Sequence, residues 1–242
     1  MSLEDRPPFG AGPGPGHGHG TRPPPGGPFD AHPAQANRPP IVCGAVIALS
    51  AGLYLFEALV LPGGSFAQPN HFGMLHGPDV QAGELWRLAT HVFEHGGLIH
   101  LVLNMSVVMT LGISFERSTG SGLFAVISLI TAMGSATLSL LFSFDVHMLG
   151  ASGMILGWAG AILPIATQQA RRALGTWLAQ VAIISFLPGV SWQGHLGGFL
   201  FGLACGLLLK LGRKPFWAVA PFLAIASVGA ALAVAHPALR AP

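Results

Sequence analysis

The chain has 242 residues, of which 51% are hydrophobic and only 8% are charged, and its mean hydropathy is +0.61. A soluble domain carries about a quarter charged residues, so this composition excludes a globular protein in water and indicates a chain embedded in a bilayer. The formal net charge of +2 and the lack of a basic stripe argue against a nucleic-acid partner.

The first 39 residues are predicted to form a disordered cytoplasmic tail. Segment 1–39 is rich in proline and glycine and nearly lacks large apolar side chains. It therefore cannot bury enough surface to offset its chain entropy. His17 and His19 are interpreted as part of this polar tail.

Seven apolar runs follow the tail. A helix needs about 20 residues to cross a bilayer, and fewer where neighbouring helices enclose it. Membrane-spanning helices are predicted over 40–61, 96–115, 121–143, 149–167, 174–190, 195–211 and 216–236. The fold class is thus all-α, a polytopic membrane helical bundle, whose fifth span is short and interrupted by Pro188 and Gly189.

Basic residues predict the orientation of the bundle. With the tail inside, most of the 11 lysines and arginines fall on the inner side: Arg6, Arg22, Arg38, Arg117, Arg171, Arg172, Lys210, Arg213 and Lys214. Because cytoplasmic loops carry an excess of Lys and Arg, we predict a cytoplasmic N-terminus. On the outer side, the long loop 62–95 contains GELWRLATHVFEH, which is typical of an amphipathic element in the membrane interface.

Four polar residues are predicted to lie at one depth near the outer surface. His100 and Asn104 fall in the first turns of the second span, Ser152 falls in the first turn of the fourth, and His195 opens the sixth. All three spans run inward, and each residue advances a helix by about 1.5 Å. His100 and Asn104 also share one helical face, because they are four residues apart.

Glycines in two of these spans allow a close helix approach. The fourth span carries Gly150, Gly153, Gly157 and Gly160, and the sixth carries Gly198, Gly202 and Gly206. Stripes of small residues let helices pack tightly in lipid. If the two stripes meet, Ser152 and His195 come within hydrogen-bond range; alternatively, each stripe packs against another helix.

The residue types favour acyl transfer. A serine hydroxyl becomes an effective nucleophile when a base takes its proton, and His195 is the candidate base for Ser152. The Ser152 backbone N–H, the Asn104 amide and the His100 imidazole are candidate donors to an oxyanion. Glu57 is the only acid in the middle of a span. We therefore predict a Ser–His dyad whose histidine is oriented by packing, water or a carbonyl.

The same region carries motifs of a known family. WRLATHVFEHGGLIHLVLNM, GISFERSTGSG, GASG and GHLGGFLFG occur in this order between about Gly83 and Gly206. Together they resemble the rhomboid intramembrane serine proteases. The resemblance implies a six-helix rhomboid core, here 40–211, followed by an additional C-terminal transmembrane helix and tail over 212–242. It also implies an endopeptidase that cuts single-span transmembrane proteins near the outer membrane boundary.

The resemblance implies roles for individual residues. Ser152 would be the nucleophile and His195 the general base, with His100 and Asn104 in the oxyanion hole. Structural support is assigned to five further positions: Trp86, Arg87, Glu116, Gly198 and Gly202. His95 is interpreted as loop packing. Leu156 departs from the pattern, since many family members carry Tyr or Phe there, stacked on the catalytic histidine.

The predicted partners are single-span transmembrane protein substrates and membrane lipid, with no nucleic acid, cofactor or metal. The predicted location is a bacterial plasma membrane, with the site open to the outer side. Loop 62–95 and the fifth span are candidate elements through which a substrate gains access. Three alternatives are an inactive relative that binds membrane clients, a zinc protease and a transporter. They are disfavoured because Ser152 and His195 are both present, EHGGLIH is not H-E-x-x-H, and no internal repeat is visible.

Overall fold

The computed structural model describes residues 38–60, 72–236 and 238, so most of the predicted tail and the segment 61–71 lie outside the described residues. The helices within these ranges are α1 (Ile41–Val60), α2 (Gly77–Gln81), α3 (Arg87–Thr90), α4 (Leu98–Val107), α5 (Ile113–Thr119), α6 (Ser121–Phe142), α7 (Ser152–Ile162), α8 (Gln168–Ile184), α9 (Trp192–Leu211) and α10 (Arg213–Ala235). A π-helical segment, Val108–Gly112, joins α4 to α5 into one continuous helix.

The helices agree with a polytopic membrane bundle. In the described residues, α1, the continuous helix Leu98–Thr119, α6, α9 and α10 are long and apolar enough to cross a membrane. The predicted fourth and fifth spans correspond to the shorter helices α7, with 11 residues, and α8, with 17. Every residue of α7 after Ser152 is buried, so neighbouring helices, rather than lipid, enclose it. The predicted all-α bundle is confirmed.

The core of the bundle is the contact between α7 and α9, both of which also pack on α6. A Cβ added at Gly198 would overlap the carbonyl oxygen of Gly153, and one added at Gly202 would overlap that of Gly157. The two glycine stripes therefore face each other, as predicted, and the alternative of separate partners is wrong. Without side chains between them, the two backbones come into direct contact.

Glu116 joins three helices at the opposite end from Ser152. Its buried carboxylate accepts hydrogen bonds from the backbone N–H groups of Val42 (2.9 Å) and Cys43 (2.8 Å) and from the Ser121 hydroxyl (2.6 Å). The first N–H groups of a helix have no intrahelical acceptor, and negative charge is favourable there. Glu116 thus caps α1 while tying it to α5 and α6.

The π-helical segment makes room for Trp158. A Cβ at Gly112 would lie 2.8 Å from Cζ3 of the Trp158 ring, so only glycine allows this approach. The ring is fully buried, and its Nε1–H donates to the Ser128 hydroxyl at 2.9 Å. Trp158 therefore anchors α7 to the second span and to α6.

The additional C-terminal helix, α10, packs mainly along α6 and also touches α9. It begins at Arg213, directly after Gly212, whose φ is +126°. The Arg213 guanidinium donates to the Thr119 carbonyl at 2.7 Å, which ties the start of α10 to the end of α5.

Candidate active site

Ser152 and His195 are brought together where α7 and α9 begin. Ser152 is the first residue of α7, and its Oγ lies 2.8 Å from Nε2 of His195. His195 lies in the first turn of α9, where the Ser191 hydroxyl caps the helix by accepting from the Gly194 N–H at 3.1 Å. The cap and the glycine stripe below it position the imidazole opposite the serine.

A second serine orients the histidine from the other side. The Oγ of Ser185, which follows α8, lies 2.6 Å from Nδ1 of His195 and donates to the Val181 carbonyl at 2.7 Å. A hydroxyl has only one proton, so a Ser185 that donates to the Val181 carbonyl accepts from the Nδ1–H of His195. Ser185 was not predicted from the sequence, which left packing, water or a carbonyl as the candidates. The available signal was a lone serine near the C-terminal end of the predicted fifth span.

Donation from Ser185 to Val181 favours one tautomer of His195, the one protonated at Nδ1. A neutral imidazole carries one N–H, and the nitrogen without it is the acceptor. With Nδ1 protonated, Nε2 presents its lone pair to the Ser152 hydroxyl. The arrangement has the geometry of a general base beside a nucleophile.

The candidate oxyanion donors lie at the start of α7 and in α4. Ser152 opens α7, so its backbone N–H has no acceptor within the helix. The His100 ring packs against Gly150, where an added Cβ would lie 2.9 Å from the ring Nε2. Asn104 donates one amide hydrogen to the His100 carbonyl at 2.9 Å and retains a second. Among the described residues, neither side chain hydrogen-bonds Ser152 itself.

The segment before Ser152 is held by the loop that precedes α4. Leu75 and Met148 form an antiparallel pair with both N–H···O distances at 2.9 Å, and the Gly150 N–H donates to the His91 carbonyl at 2.9 Å. His91 is fully buried, and its Nδ1 hydrogen-bonds the Arg87 carbonyl. Burial lowers the pKa of His91 to about 4, so it is a neutral structural group at pH 7.

Trp86 and Arg87 organise that loop. The buried Arg87 donates to the Met74 carbonyl at 2.8 Å and pairs with Glu84 at 2.6 Å. Trp86 stacks on Phe72 with ring centroids 5.9 Å apart and directs its Nε1 at the Phe72 carbonyl, 3.4 Å away. Both residues thus lie where a role in anchoring the loop requires them.

Two carboxyl groups pair away from the histidine. Glu57, near the end of α1, is buried and hydrogen-bonds the buried Glu94. Glu94 also accepts from the Gly73 N–H at 2.6 Å. Burial, followed by the Glu57 carboxyl, raises the pKa of Glu94. Glu57, predicted in the middle of the first span, thus lies in the last turn of α1 and binds the loop. His95, next to Glu94, is buried.

An apolar cavity of about 380 Å³ opens beside the histidine, between α7, α8 and α9. His195 and Ser185 lie in its wall together with Leu156, Trp192 and Phe199. Leu156 thus occupies the space beside the imidazole where the resemblance leads one to expect an aromatic ring. The apolar lining of the cavity suits an uncharged side chain beside His195.

Comparisons with known proteins agree with these motifs. The rhomboid domain family model matches residues 82–212. The chain is 37% identical to RHOMBOID-like protein 6, mitochondrial, of Arabidopsis thaliana over 147 residues, which are 57% of this chain and 48% of that protein. It is 30% identical to Rhomboid protease GluP of Bacillus subtilis over 171 residues, which are 66% of this chain and 34% of that protein.

A third relative, Rhomboid-like protease 3 of Toxoplasma gondii, is 28% identical over 180 residues, which are 69% of this chain and 68% of that protein. The matches to the first two relatives span about half of their length or less. The family match covers more than half of the chain and includes Ser152 and His195. The chain belongs to the rhomboid family and, with five apolar membrane-length helices in the part that the structure describes, is a multi-pass integral membrane protein.

Proposed function

We propose that the protein is an intramembrane serine endopeptidase in which Ser152 is the nucleophile and His195 the general base. The observation that carries this proposal is the chain of hydrogen bonds from the Ser152 hydroxyl through His195 to Ser185, at 2.8 and 2.6 Å. Two of the matched relatives are named proteases, which supports the same activity.

The chemistry follows from the proton positions. Ser152 Oγ attacks the carbonyl carbon of the substrate while its proton passes to Nε2 of His195. The imidazolium then gives that proton to the leaving amine nitrogen as the C–N bond breaks, leaving an acyl group on Ser152. Water, deprotonated by the same Nε2, hydrolyses this ester and restores the hydroxyl. Ser185 keeps Nδ1 protonated throughout and favours the charged ring, because hydrogen bonds to charged groups are stronger.

The oxyanion is assigned to the Ser152 backbone N–H, Asn104 and His100. The N–H lies at a helix N-terminus, where the helix dipole favours negative charge. His100 is held against Gly150 and Asn104 against the His100 carbonyl, so both are fixed before substrate arrives. Donors fixed in advance are worth the most in transition-state stabilisation.

The proposed substrates are single-span transmembrane proteins cut near the outer membrane boundary. Ser152 and His195 open their helices, so they lie near one end of the bundle, where water can reach the bond. A substrate helix must unwind to be cut, and glycine lowers the cost of doing so. All of α8 is described and none of its residues is buried, which supports this fifth span as the access element.

The cellular setting is part of the proposal. The predicted orientation, with a cytoplasmic N-terminus and a site open to the outer side, rests on the distribution of basic residues. The matched relatives come from a plant, a bacterium and Toxoplasma gondii, so a bacterial plasma membrane stays a prediction. No nucleic acid and no cofactor are required by the proposed chemistry.

The test is cleavage of a panel of single-span reporters by the purified protein reconstituted in lipid. Ser152→Ala and His195→Ala are expected to abolish cleavage. The matched control is Ser106→Ala, since Ser106 is a serine of the second span whose hydroxyl bonds only within its own helix, to the Leu103 carbonyl. It should cleave like wild type. A serine-reactive phosphonate should label Ser152 alone, and the fragment ends should lie near the outer boundary.

Two results would overturn the proposal. Cleavage that persists in Ser152→Ala means that another nucleophile acts. A wild-type protein that cuts no reporter and takes no phosphonate label, while still retaining the reporters on purification, is a client-binding protein rather than an enzyme.

A further inference from the structure

A second cluster of chemically capable side chains lies outside the Ser152–His195 pair. His76, Asp79 and His147 place one potential ligand atom each within 4.8 Å of the other two. Nδ1 of His76 lies 3.2 Å from Oδ2 of Asp79, and the His76 and His147 rings are stacked with centroids 4.1 Å apart. Among the described residues this is the group with the composition and spacing of a metal site.

The backbone holds the two histidines in fixed register. Leu75 and Met148 are paired by two hydrogen bonds of 2.9 Å, and Gly77 donates to the Phe144 carbonyl at 2.9 Å. His76 follows Leu75 and His147 precedes Met148, so both histidines directly flank this isolated antiparallel bridge, on the same side of it. The proximity of the two imidazoles is therefore imposed by the main chain.

Asp79 is in position to complete the ligand set. It lies in the short helix α2, three residues after His76. The Arg87 guanidinium also approaches it: Nη2 is 3.5 Å from Oδ2, whereas the same Nη2 is 2.6 Å from Glu84. Since Glu84 takes the closer contact, the Asp79 carboxylate is available to a second partner.

We propose that His76, Asp79 and His147 bind one divalent transition-metal ion of the zinc class. Zinc accepts imidazole nitrogen and carboxylate oxygen at about 2.0–2.2 Å, which places neighbouring ligand atoms about 3.3 Å apart. The His76–Asp79 pair already has that spacing. The parallel rings require one imidazole to rotate about its Cβ–Cγ bond, which its partial exposure to solvent permits. Water completes the coordination.

The ion joins two segments that matter for the candidate active site. One is the loop that carries Arg87 and His91, and the other is the segment that runs from Phe144 through Gly150 into Ser152. A bound ion thus adds a crosslink to a contact now made by a few backbone hydrogen bonds. This inference is separate from the proposed peptide hydrolysis, because the three ligands take no part in the Ser152–His195 pair. No metal was predicted from the sequence, because EHGGLIH is not H-E-x-x-H.

The experiment is a titration of untagged, full-length protein in lipid nanodiscs with Zn²⁺ alone, after treatment with a chelator. We expect one Zn²⁺ per chain. At free Zn²⁺ about 100 times its Kd, Tm should rise by roughly 5–10 °C. His147→Gln and Asp79→Asn are chosen because they preserve volume. Each should weaken binding by at least the roughly 10- to 100-fold that loss of an outer-shell partner costs.

Two control variants exclude other histidines. His236→Ala removes an exposed histidine at the end of α10, and a double substitution, His17→Ala with His19→Ala, removes those of the tail. Both should bind Zn²⁺ and gain Tm like wild type. The inference is overturned if wild type neither binds Zn²⁺ nor gains Tm, if His147→Gln and Asp79→Asn bind as wild type does, or if binding disappears in the tail variant.

Discussion

Replacing Ser185 with alanine should slow peptide cleavage although Ser185 touches neither the nucleophile nor the cleaved bond. With its proton on the Val181 carbonyl, the hydroxyl accepts from Nδ1–H of His195 at 2.6 Å; Ser185 is buried and His195 is half-buried. Alanine leaves that N–H without its acceptor and allows the proton to move to Nε2. In that tautomer the ring cannot take the proton of Ser152.

The size of the effect follows from the cost of the lost acceptor. A buried donor left unsatisfied costs about 1–3 kcal/mol, and each 1.36 kcal/mol corresponds to tenfold in rate. The expected loss in kcat/KM is therefore roughly 5- to 160-fold. Because the bond strengthens when the ring becomes charged in the transition state, the loss should appear in kcat while KM stays near the wild-type value.

The assay is steady-state cleavage of a single-span reporter in lipid, with kcat and KM determined separately. Ser114→Ala is the matched control, since its hydroxyl makes the same bond to a carbonyl four residues earlier but lies away from the histidine. Ser185→Thr keeps the hydroxyl and should recover most of the lost rate. Equal kcat in Ser185→Ala and Ser114→Ala, or a threonine variant as slow as the alanine variant, would refute the tautomer argument.

Two further predictions concern stability. Gly198→Ala places a Cβ against the Gly153 carbonyl and should lower the free energy of unfolding by about 1–3 kcal/mol. Gly44→Ala is the control, because a Cβ there has nothing within 4 Å and should not lower it. Equal stability of the two variants in a denaturant titration would contradict the direct backbone contact. Burial and the Glu57 carboxyl raise the pKa of Glu94, so the neutral form of Glu94 stabilises the fold. This contribution to stability is complete below about pH 4.5 and is lost as the pH rises through the raised pKa. A Tm series from about pH 5 to about pH 9 should show this loss in the wild type and not in a Glu94→Gln variant.

The close packing of α7 on α9 was predictable because the glycines that permit it recur at regular intervals in the sequence. Gly198 and Gly202 repeat at the spacing of a helix face, as do Gly153 and Gly157 in the facing helix. Two matching bare faces have few ways to pack other than against each other. The depth of Ser152 and His195 then followed from counting residues along their spans.

Ser185 was not predictable in the same way, because its role depends on one contact between two helices. The hydroxyl also bonds the Val181 carbonyl of its own helix, which is what any buried helical serine can do. Only the position of α8 against α9 distinguishes Ser185 from Ser114, which makes the same local bond. Sequence spacing carries no signal for a contact of this kind.

For the partner of His195, the sequence observation was correct but the conclusion drawn from it was incomplete. The absence of an acid near the sixth span does imply a histidine without a carboxylate partner, and the structure places Glu57 beside Glu94 instead. Composition gave no indication that the hydroxyl of Ser185 would take the place of a carboxylate. A neutral hydroxyl fixes the tautomer as a carboxylate would but stabilises the charged ring less. In the proposed mechanism, a dyad supported in this way would depend more heavily on the proposed oxyanion donors, namely the start of α7, His100 and Asn104.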